Sequence, residues 1–184
     1  MFKLVQTTKE HETFENIWRS IAKEKHFVVD EDRNRSVRYL FYEKNQPIGT
    51  MEFVPYNPEI FTTVEKDFAF SKIPEIQKHR STTWEVDKVG FLPDYRGRGY
   101  VQWVIDCLMH HHVLHQNTHV VCLFDRKFYR LLRILYREYP MQQVGEAFVA
   151  KGEIEPIIPV VIHLPTVYEV YQKKQKNKRQ MTIA

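Results

Sequence analysis

The sequence is short of several things, and each shortage excludes something. It has two cysteines, Cys107 and Cys122, in 184 residues. One falls in an expected helix and the other in an expected buried strand, so both read as core thiols and a disulfide framework is unsupported. No apolar run approaches the ~20 residues that a membrane-spanning helix needs. The opening Met-Phe-Lys-Leu-Val-Gln turns polar too soon for a secretory leader, and a cytoplasmic location is the default expectation. There is no H-E-x-x-H, no C-x-x-C and no internal repeat. The histidines His110, His111, His112, His115 and His119 therefore read as solvent-side helix residues titrating near neutrality, and no metal is expected. Glycine is scarce at six residues, yet Gly97 and Gly99 share one turn.

What is present is a folding composition. Apolar residues make up 43%, with 12 Phe, 10 Tyr and 3 Trp, enough for a sizeable core. The expectation is a single domain over residues 1–164. The formal charge of +4 is modest. Much of it lies in Lys173–Arg179, so residues 165–184 read as a short helix or a solvated basic tail. No aromatic residues interleave that run, and nucleic acid is not an expected partner.

Periodicity divides the chain. Phe2–Gln6 reads as an edge strand. Thr7 or Thr8 caps a helix carrying Phe14, Ile17, Trp18 and Ile21 at i, i+3, i+4, i+7. Val37–Glu43 and Ile48–Val54 are strands joined by a hairpin turn at Asn45-Gln46. Gly49 marks a close backbone approach or a bulge. Residues 56–83, rich in proline and aromatics, read as a lid or a surface insertion, helical between Phe61 and Phe70. Thr83–Phe91 is a central strand. A helix to about His115, a strand over Thr118–Phe124 and a helix over Arg126–Glu138 follow. That last helix carries Asp125 as its N-cap and Phe128, Leu131, Leu132, Leu135 and Tyr139 on one face. Gln142–Ala150 and Ile157–Leu164 form a closing hairpin. A strand–helix–strand unit of this length is a right-handed crossover between parallel strands. The fold class is thus α/β, with a mixed sheet of about seven strands and flanking helices.

The functional signal lies at the end of the central strand. There Val89-Gly90-Phe91-Leu92-Pro93-Asp94-Tyr95 leads into Arg96-Gly97-Arg98-Gly99-Tyr100-Val101. Gly97 and Gly99 let the backbone curl and an anion approach closely. The first N–H groups of the following helix lack partners and sit at the positive end of its dipole. Arg96 and Arg98 suit phosphate geometry. The stretch reads as a diphosphate cradle or, blandly, as an ordinary Arg/Gly turn before a helix. The spacing fits neither a dinucleotide-binding nor a P-loop signature.

At these residues the chain resembles the GNAT superfamily of N-acyltransferases, whose acyl-CoA loop reads Gln/Arg-x-x-Gly-x-Gly/Ala. Val101 stands where that pattern has Gly or Ala. Pro47-Ile48-Gly49-Thr50 resembles the family's third strand. Leu135-Tyr136-Arg137-Glu138-Tyr139-Pro140-Met141 resembles its "l-Y-e-k-l-G-F". Trp84-Glu85-Val86-Asp87-Lys88 is similar to the W-E-x-x-R of the autoinducer synthase and N-acyl amino acid synthase branch, with Lys88 in place of Arg. The resemblance covers roughly residues 2–164 and implies the acyl-CoA N-acyltransferase fold. It implies acyl transfer, acetyl or longer, from acetyl-CoA or a longer acyl-CoA to an amine by direct attack. Gly90, Phe91, Leu92 and Arg96 to Val101 would hold the donor. Glu85 is the candidate base, with Glu52 as a rival, and Tyr136 is the candidate acid. Expected partners are a small-molecule amine, an acyl carrier protein as alternative thioester donor, and a second copy if the chain forms a homodimer. The alternative is a non-catalytic acyl-CoA-binding or sensory module of the same fold.

Overall fold

A computed structural model describes residues 1–27, 29, 36–59 and 63–183. The chain runs β1 (Phe2–Leu4), α1 (Thr8–Lys25), β2 (Val37–Glu43), β3 (Gln46–Pro55), α2 (Thr63–Asp67), α3 (Pro74–Lys78) and β4 (Thr83–Phe91). It continues through α4 (Val101–His115), β5 (His119–Asp125), α5 (Arg126–Leu135), β6 (Met141–Gln143), β7 (Ile157–His163) and α6 (Leu164–Ile183). The seven strands form one sheet in the order β1-β2-β3-β4-β5-β7-β6. β4 and β5 are parallel and every other neighbouring pair is antiparallel.

Local chemistry explains the elements. Thr7 caps α1, its hydroxyl accepting from the Glu10 N–H while the Glu10 carboxylate accepts from the Thr7 N–H, a full capping box. Asp125 caps α5, accepting from the Lys127 and Phe128 N–H groups at 2.6 and 3.1 Å. The β2–β3 turn sits at Lys44-Asn45, both with positive φ (46° and 68°), one residue earlier than the expected Asn45-Gln46. Two left-handed residues match the right-handed twist of the strands they join.

Both faces of the sheet are covered. Tyr39, Phe41, Met51, Phe53, Val86, Val120, Cys122, Val160 and Ile162 pack against α4 and α5. The opposite face carries α1 on Leu40 through Phe14, Ile17, Trp18 and Ile21. It also carries the segment after β3, where Tyr56, Val64, Phe70 and Ile76 pack on Val121 and Val161. The helix expected between Phe61 and Phe70 is one short turn, α2, followed by a 3-10 turn at Phe70–Lys72; Phe61 lies outside the described residues.

Two expectations are corrected near the C-terminus. The strand expected over Gln142–Ala150 shrinks to β6, with one isolated bridge from Phe148 to Ile157. Residues 165–184 are not an undocked tail, because α6 begins at Leu164 and buries Val167 in the main core. Tyr168 packs edge-on to His112, and the Tyr171 hydroxyl donates to Asp106 at 3.0 Å. The apolar residues of its first turns fix it to the body, and Lys174 adds an ion pair with Glu138 and lies 5.1 Å over the Tyr139 ring.

Candidate active site: a cleft through a split sheet

The parallel pair β4 and β5 is joined only at Thr83, Trp84 and Glu85, opposite His119, Val120 and Val121. Beyond that the strands part. On its other side β4 stays bonded to β3, but with a bulge, since Thr50 faces Gly90 while Glu52 faces Asp87. The extra residue is accommodated by Lys88 at φ 50°. The Thr50 hydroxyl donates to the Lys88 carbonyl at 2.7 Å and the Lys88 N–H to the Asp87 carboxylate at 2.7 Å, fixing the bulge. A bulge bends its strand, and here β4 leans away from β5.

Gly49 sits opposite this bend. A Cβ there would lie 2.5 Å from the Gly90 oxygen and 2.6 Å from the Phe91 ring. The close approach expected at Gly49 is real, and it presses on the stretch of β4 that lines the opening.

The opening is a cleft of about 610 Å³. Trp18, Ile21 and Phe27 line it from the α1 face, and Val64 and Asp67 from α2. Val86 to Phe91 form its floor and Phe124, Phe128, Leu131 and Leu135 its far wall. Val86 and Phe124 belong to one face of the sheet and Ile21 to the other, so the cleft passes through the split. Leu131 and Leu135 are 39% and 50% exposed, not buried on the α5 core face as their spacing suggested. They leave the core to form the cleft rim.

The glycine-rich turn closes one end. Gly97 and Gly99 have φ of 75° and 83°, and a Cβ at either would meet nothing within 4 Å. Glycine is favoured there by backbone angle and not by crowding. Tyr100, the N-cap of α4, gives no side-chain cap, and the Gln102 and Trp103 N–H groups donate back to the Gly99 and Tyr100 carbonyls at 3.4 and 2.8 Å. Of the nine expected donor residues, Gly90, Phe91, Arg96, Gly97, Gly99, Tyr100 and Val101 line the cleft, whereas Leu92 and Arg98 do not. Leu92 packs toward α1. Arg98 projects outward, 55% exposed, 3.9 Å from Glu43.

Arg96 has a different task from the expected one. Its Nε donates to the Phe91 carbonyl at 2.9 Å, and its two terminal nitrogens grip Glu24 at 2.7 and 2.5 Å. The guanidinium is thus a bracket holding the turn to α1, and it keeps the Glu24 carboxyl below the usual carboxylate range. Tyr100 donates to Glu43, a bond that raises its phenol. A second tie crosses the cleft, from Lys25 on α1 to Asp125 on β5 at 3.4 Å.

Neither expected catalytic side chain reaches the cleft. Glu85 is fully buried at the last paired position of β4, behind the split. Tyr136 is buried beside Tyr139, donates to Gln102 at 3.3 Å, and is held above the ordinary phenol range by burial and by Asp106. The rival Glu52 is committed to a buried ion network, 2.7 Å from Arg38 and 3.2 Å from Lys88, with Glu15 3.3 Å from Arg38. The carboxylates that do line the cleft are Asp67, Asp87, Asp125 and Glu153. Asp87 borders the opening because β5 leaves β4 after Glu85, a parting between distant segments that no spacing rule reports.

The histidines also differ from expectation. His111 is fully buried, stacked on Phe53 at 3.8 Å, and burial pushes it down to about 2. His119 is buried beside His79 and His163 and lowered to about 4 by burial and then by His163. Among the described residues no group of three His, Cys, Asp or Glu side chains is placed to hold a metal ion.

A split parallel pair, a bulged central strand and a glycine turn before a helix with no side-chain cap together define the acyl-CoA N-acyltransferase fold. The sequence profile of the Acetyltransferase (GNAT) family matches residues 6–131, and the chain belongs to that family. No curated protein sequence matches it. Among solved structures it is similar to FeeM, an N-acyl amino acid synthase from uncultured soil microbes, with TM-score 0.69, 10% identity, and 90% of this chain and 91% of that one covered. It is also similar to BjaI, a CoA-dependent acyl-homoserine lactone synthase solved with SAM and isopentyl-CoA, with TM-score 0.65, 11% identity, and 94% and 88% covered. A third is a Lactobacillus plantarum protein described as an N-acetyltransferase, with TM-score 0.63, 12% identity, and 89% and 97% covered. At such identities the likeness is one of fold.

Proposed function

We propose that the protein transfers an acyl group from coenzyme A to a small-molecule amine bound on the α1 side of the cleft. The observation that carries this reading is the split between β4 and β5, closed at one end by left-handed glycines and a helix with no side-chain cap. The diphosphate of the donor lies on the Gly97–Val101 backbone amides, where the helix dipole and free N–H groups favour an anion. Its pantetheine arm lies along the unpaired edge of β4, taking up peptide groups that β5 has left. The thioester carbonyl then faces the Gly90–Phe91 backbone, where the Phe91 N–H, which alternation points away from β3, polarises it.

The amine nitrogen attacks the carbonyl carbon and the C–S bond breaks. The sulfur leaves as the thiolate, and the extra proton on nitrogen passes to a base. Asp87 takes that role in place of Glu85, because it lies on the cleft wall beyond the last β4–β5 pair. Lys88, beside it on the strand, turns its ammonium into the buried network with Glu52 at 3.2 Å and so holds the bulge rather than the acyl oxygen. Neither an apolar arm nor a deep acid is needed to hold the reactants together, and positioning supplies much of the rate.

The test is binding followed by turnover. Free CoA and acetyl-CoA at ~100 times their dissociation constants each stabilise the fold by ~2.7 kcal/mol if they bind only the native state, read as a rise in melting temperature. Release of free thiol with a panel of primary amines then reads the chemistry. Absence of any shift with CoA or acyl-CoA overturns the reading. Binding without thiol release from any amine assigns the fold to a non-catalytic acyl-CoA module.

A further inference from the structure

Helix α5 carries more than its packing needs. Phe128, Leu132 and Tyr136, in the helix and its closing turn, recur at four-residue steps and pack into the main core. A second apolar stripe, Leu131, Ile134 and Leu135, turns away from that core at the i, i+3, i+4 spacing of one helix face. Ile134 is 75% exposed, the most open of the large apolar side chains among the described residues. A third stripe runs beside it: Arg126, Arg130, Arg133 and Arg137, all exposed, at steps of four, three and four residues. With Lys127 these are five positive charges, and no carboxylate stands between Asp125 and Glu138. The loop tied to the start of α5 adds Ile154, 68% exposed. Its tie is the Arg126 N–H on the Pro156 carbonyl at 3.2 Å and Lys127 on Glu155 at 2.8 Å.

A single exposed aliphatic needs no explanation, but a row of them edged by arginines is a face that something covers. We propose that α5 docks the protein on an anionic lipid surface. The aliphatic row enters the acyl boundary and the guanidiniums lie at the lipid phosphates, the arrangement of a helix lying in a bilayer interface. The helix lies on that surface; none of the described helices is long and apolar enough to cross it. Charge alone would also suit an acidic protein. Such a partner pairs the arginines but leaves Ile134 against polar groups, whereas a phosphate-headed bilayer accommodates both rows at once. Leu131, Leu135 and Lys127 belong to this face and to the cleft wall together. The cleft therefore opens beside the lipid, and on the acyl-transfer reading above an acyl amide leaves directly into the bilayer.

Vesicle flotation of the full chain tests this. The probes are vesicles of phosphatidylcholine alone, and of phosphatidylcholine with phosphatidylglycerol as the minor component. The wild type floats with the anionic vesicles and not with the neutral ones, and added salt weakens its binding by screening. Ile134→Gln weakens vesicle affinity about tenfold, because an inserted aliphatic side chain is lost. Arg130→Gln combined with Arg137→Gln weakens it about 25-fold, about fivefold for each arginine near an anionic leaflet. Arg133 stays in place because it also donates to the Met141 carbonyl at 3.5 Å. Lys173→Gln combined with Lys176→Gln removes the same charge from exposed positions on α6 and leaves vesicle affinity unchanged. None of the substituted side chains lines the cleft or lies in the core, and a wild-type melting temperature shows each variant folded. If one α5 variant melts early, the other carries the test.

A wild type that does not float with anionic vesicles overturns the proposal. So does flotation unchanged in both α5 variants, or weakened as much by the α6 pair as by the α5 pair. Salt-sensitive binding to an acidic carrier protein without flotation assigns the face to a protein and also overturns it. The docking face does not depend on CoA, so a failure of CoA to stabilise the wild type overturns the acyl-transfer reading alone.

Discussion

Gly49→Ala tests the link between the sheet and the cleft. The added methyl would lie 2.5 Å from the Gly90 oxygen and 2.6 Å from the Phe91 ring. Real Cβ atoms do not come so near, so something must move. Phe91 packs on Phe41 at 5.0 Å between centroids and has little room to turn. The Gly90 carbonyl is backbone, and shifting it moves the floor of the cleft. Overpacking of this kind costs about 1–3 kcal/mol. With a urea dependence of about 1–3 kcal/mol/M, the unfolding midpoint falls by roughly 1 M. The same displacement misplaces the peptide groups that face the thioester, so affinity for acetyl-CoA falls about tenfold. Gly90→Ala is the control, one strand away. Its methyl would meet only the Ile21 side chain, Cδ1 and Cγ2 at 3.2 Å and no backbone, and its cost stays below about 1 kcal/mol. Urea unfolding and titration with acetyl-CoA measure both effects. If Gly49→Ala unfolds at the wild-type midpoint, or if Gly90→Ala is the worse of the two, the account of the β3–β4 contact is wrong.

Three further outcomes are expected. Gly97→Ala and Gly99→Ala force an L-residue to φ of 75° and 83°, which costs about 1–2 kcal/mol each; CoA affinity drops while the melting temperature of the ligand-free protein changes by only a few degrees, and unchanged affinity would remove the cradle. Val101→Ala strips a side chain from the cleft wall and strengthens binding of free CoA a few-fold in calorimetry; weaker binding would show that Val101 packs the site and does not narrow it. His119, lowered to about 4, binds its proton less readily folded than unfolded. Stability is therefore complete above pH ~6.5 and is lost as pH falls toward 4, on the order of 2–3 kcal/mol. His119→Asn flattens that slope in unfolding measured between pH 7 and 4, and an unchanged slope would assign it to other groups, His111 first.

Much of this was legible from periodicity and local chemistry. The amphipathic spacing of Phe14, Ile17, Trp18 and Ile21 forms the buried stripe of α1, and Asp125 caps α5. The order of strands and helices is local information, because capping residues, turn residues and apolar spacing act over a few residues. The glycine turn was legible for the same reason, since Gly97 and Gly99 supply angles that few other residues tolerate.

Tertiary structure alone decided which charged side chains face the cleft. Glu85 and Asp87 are two residues apart on one strand, and ideal alternation would send both to the same face. Both do share a face, since the register with β3 is unbroken from Trp84 to Asp87, but β5 stays paired with β4 only as far as Glu85, so Glu85 is buried at the closed end of the split while Asp87 lies beside the opening. Arg96, which sequence composition offers as a phosphate ligand, is claimed by Glu24, a partner 72 residues away. Leu131 and Leu135 look like core by spacing, and become cleft rim because β4 and β5 part beneath them. The polypeptide's local preferences thus set the elements and the turn that cradles an anion. The gap between two strands, and every residue's standing toward it, arises from long-range pairing that no short stretch encodes.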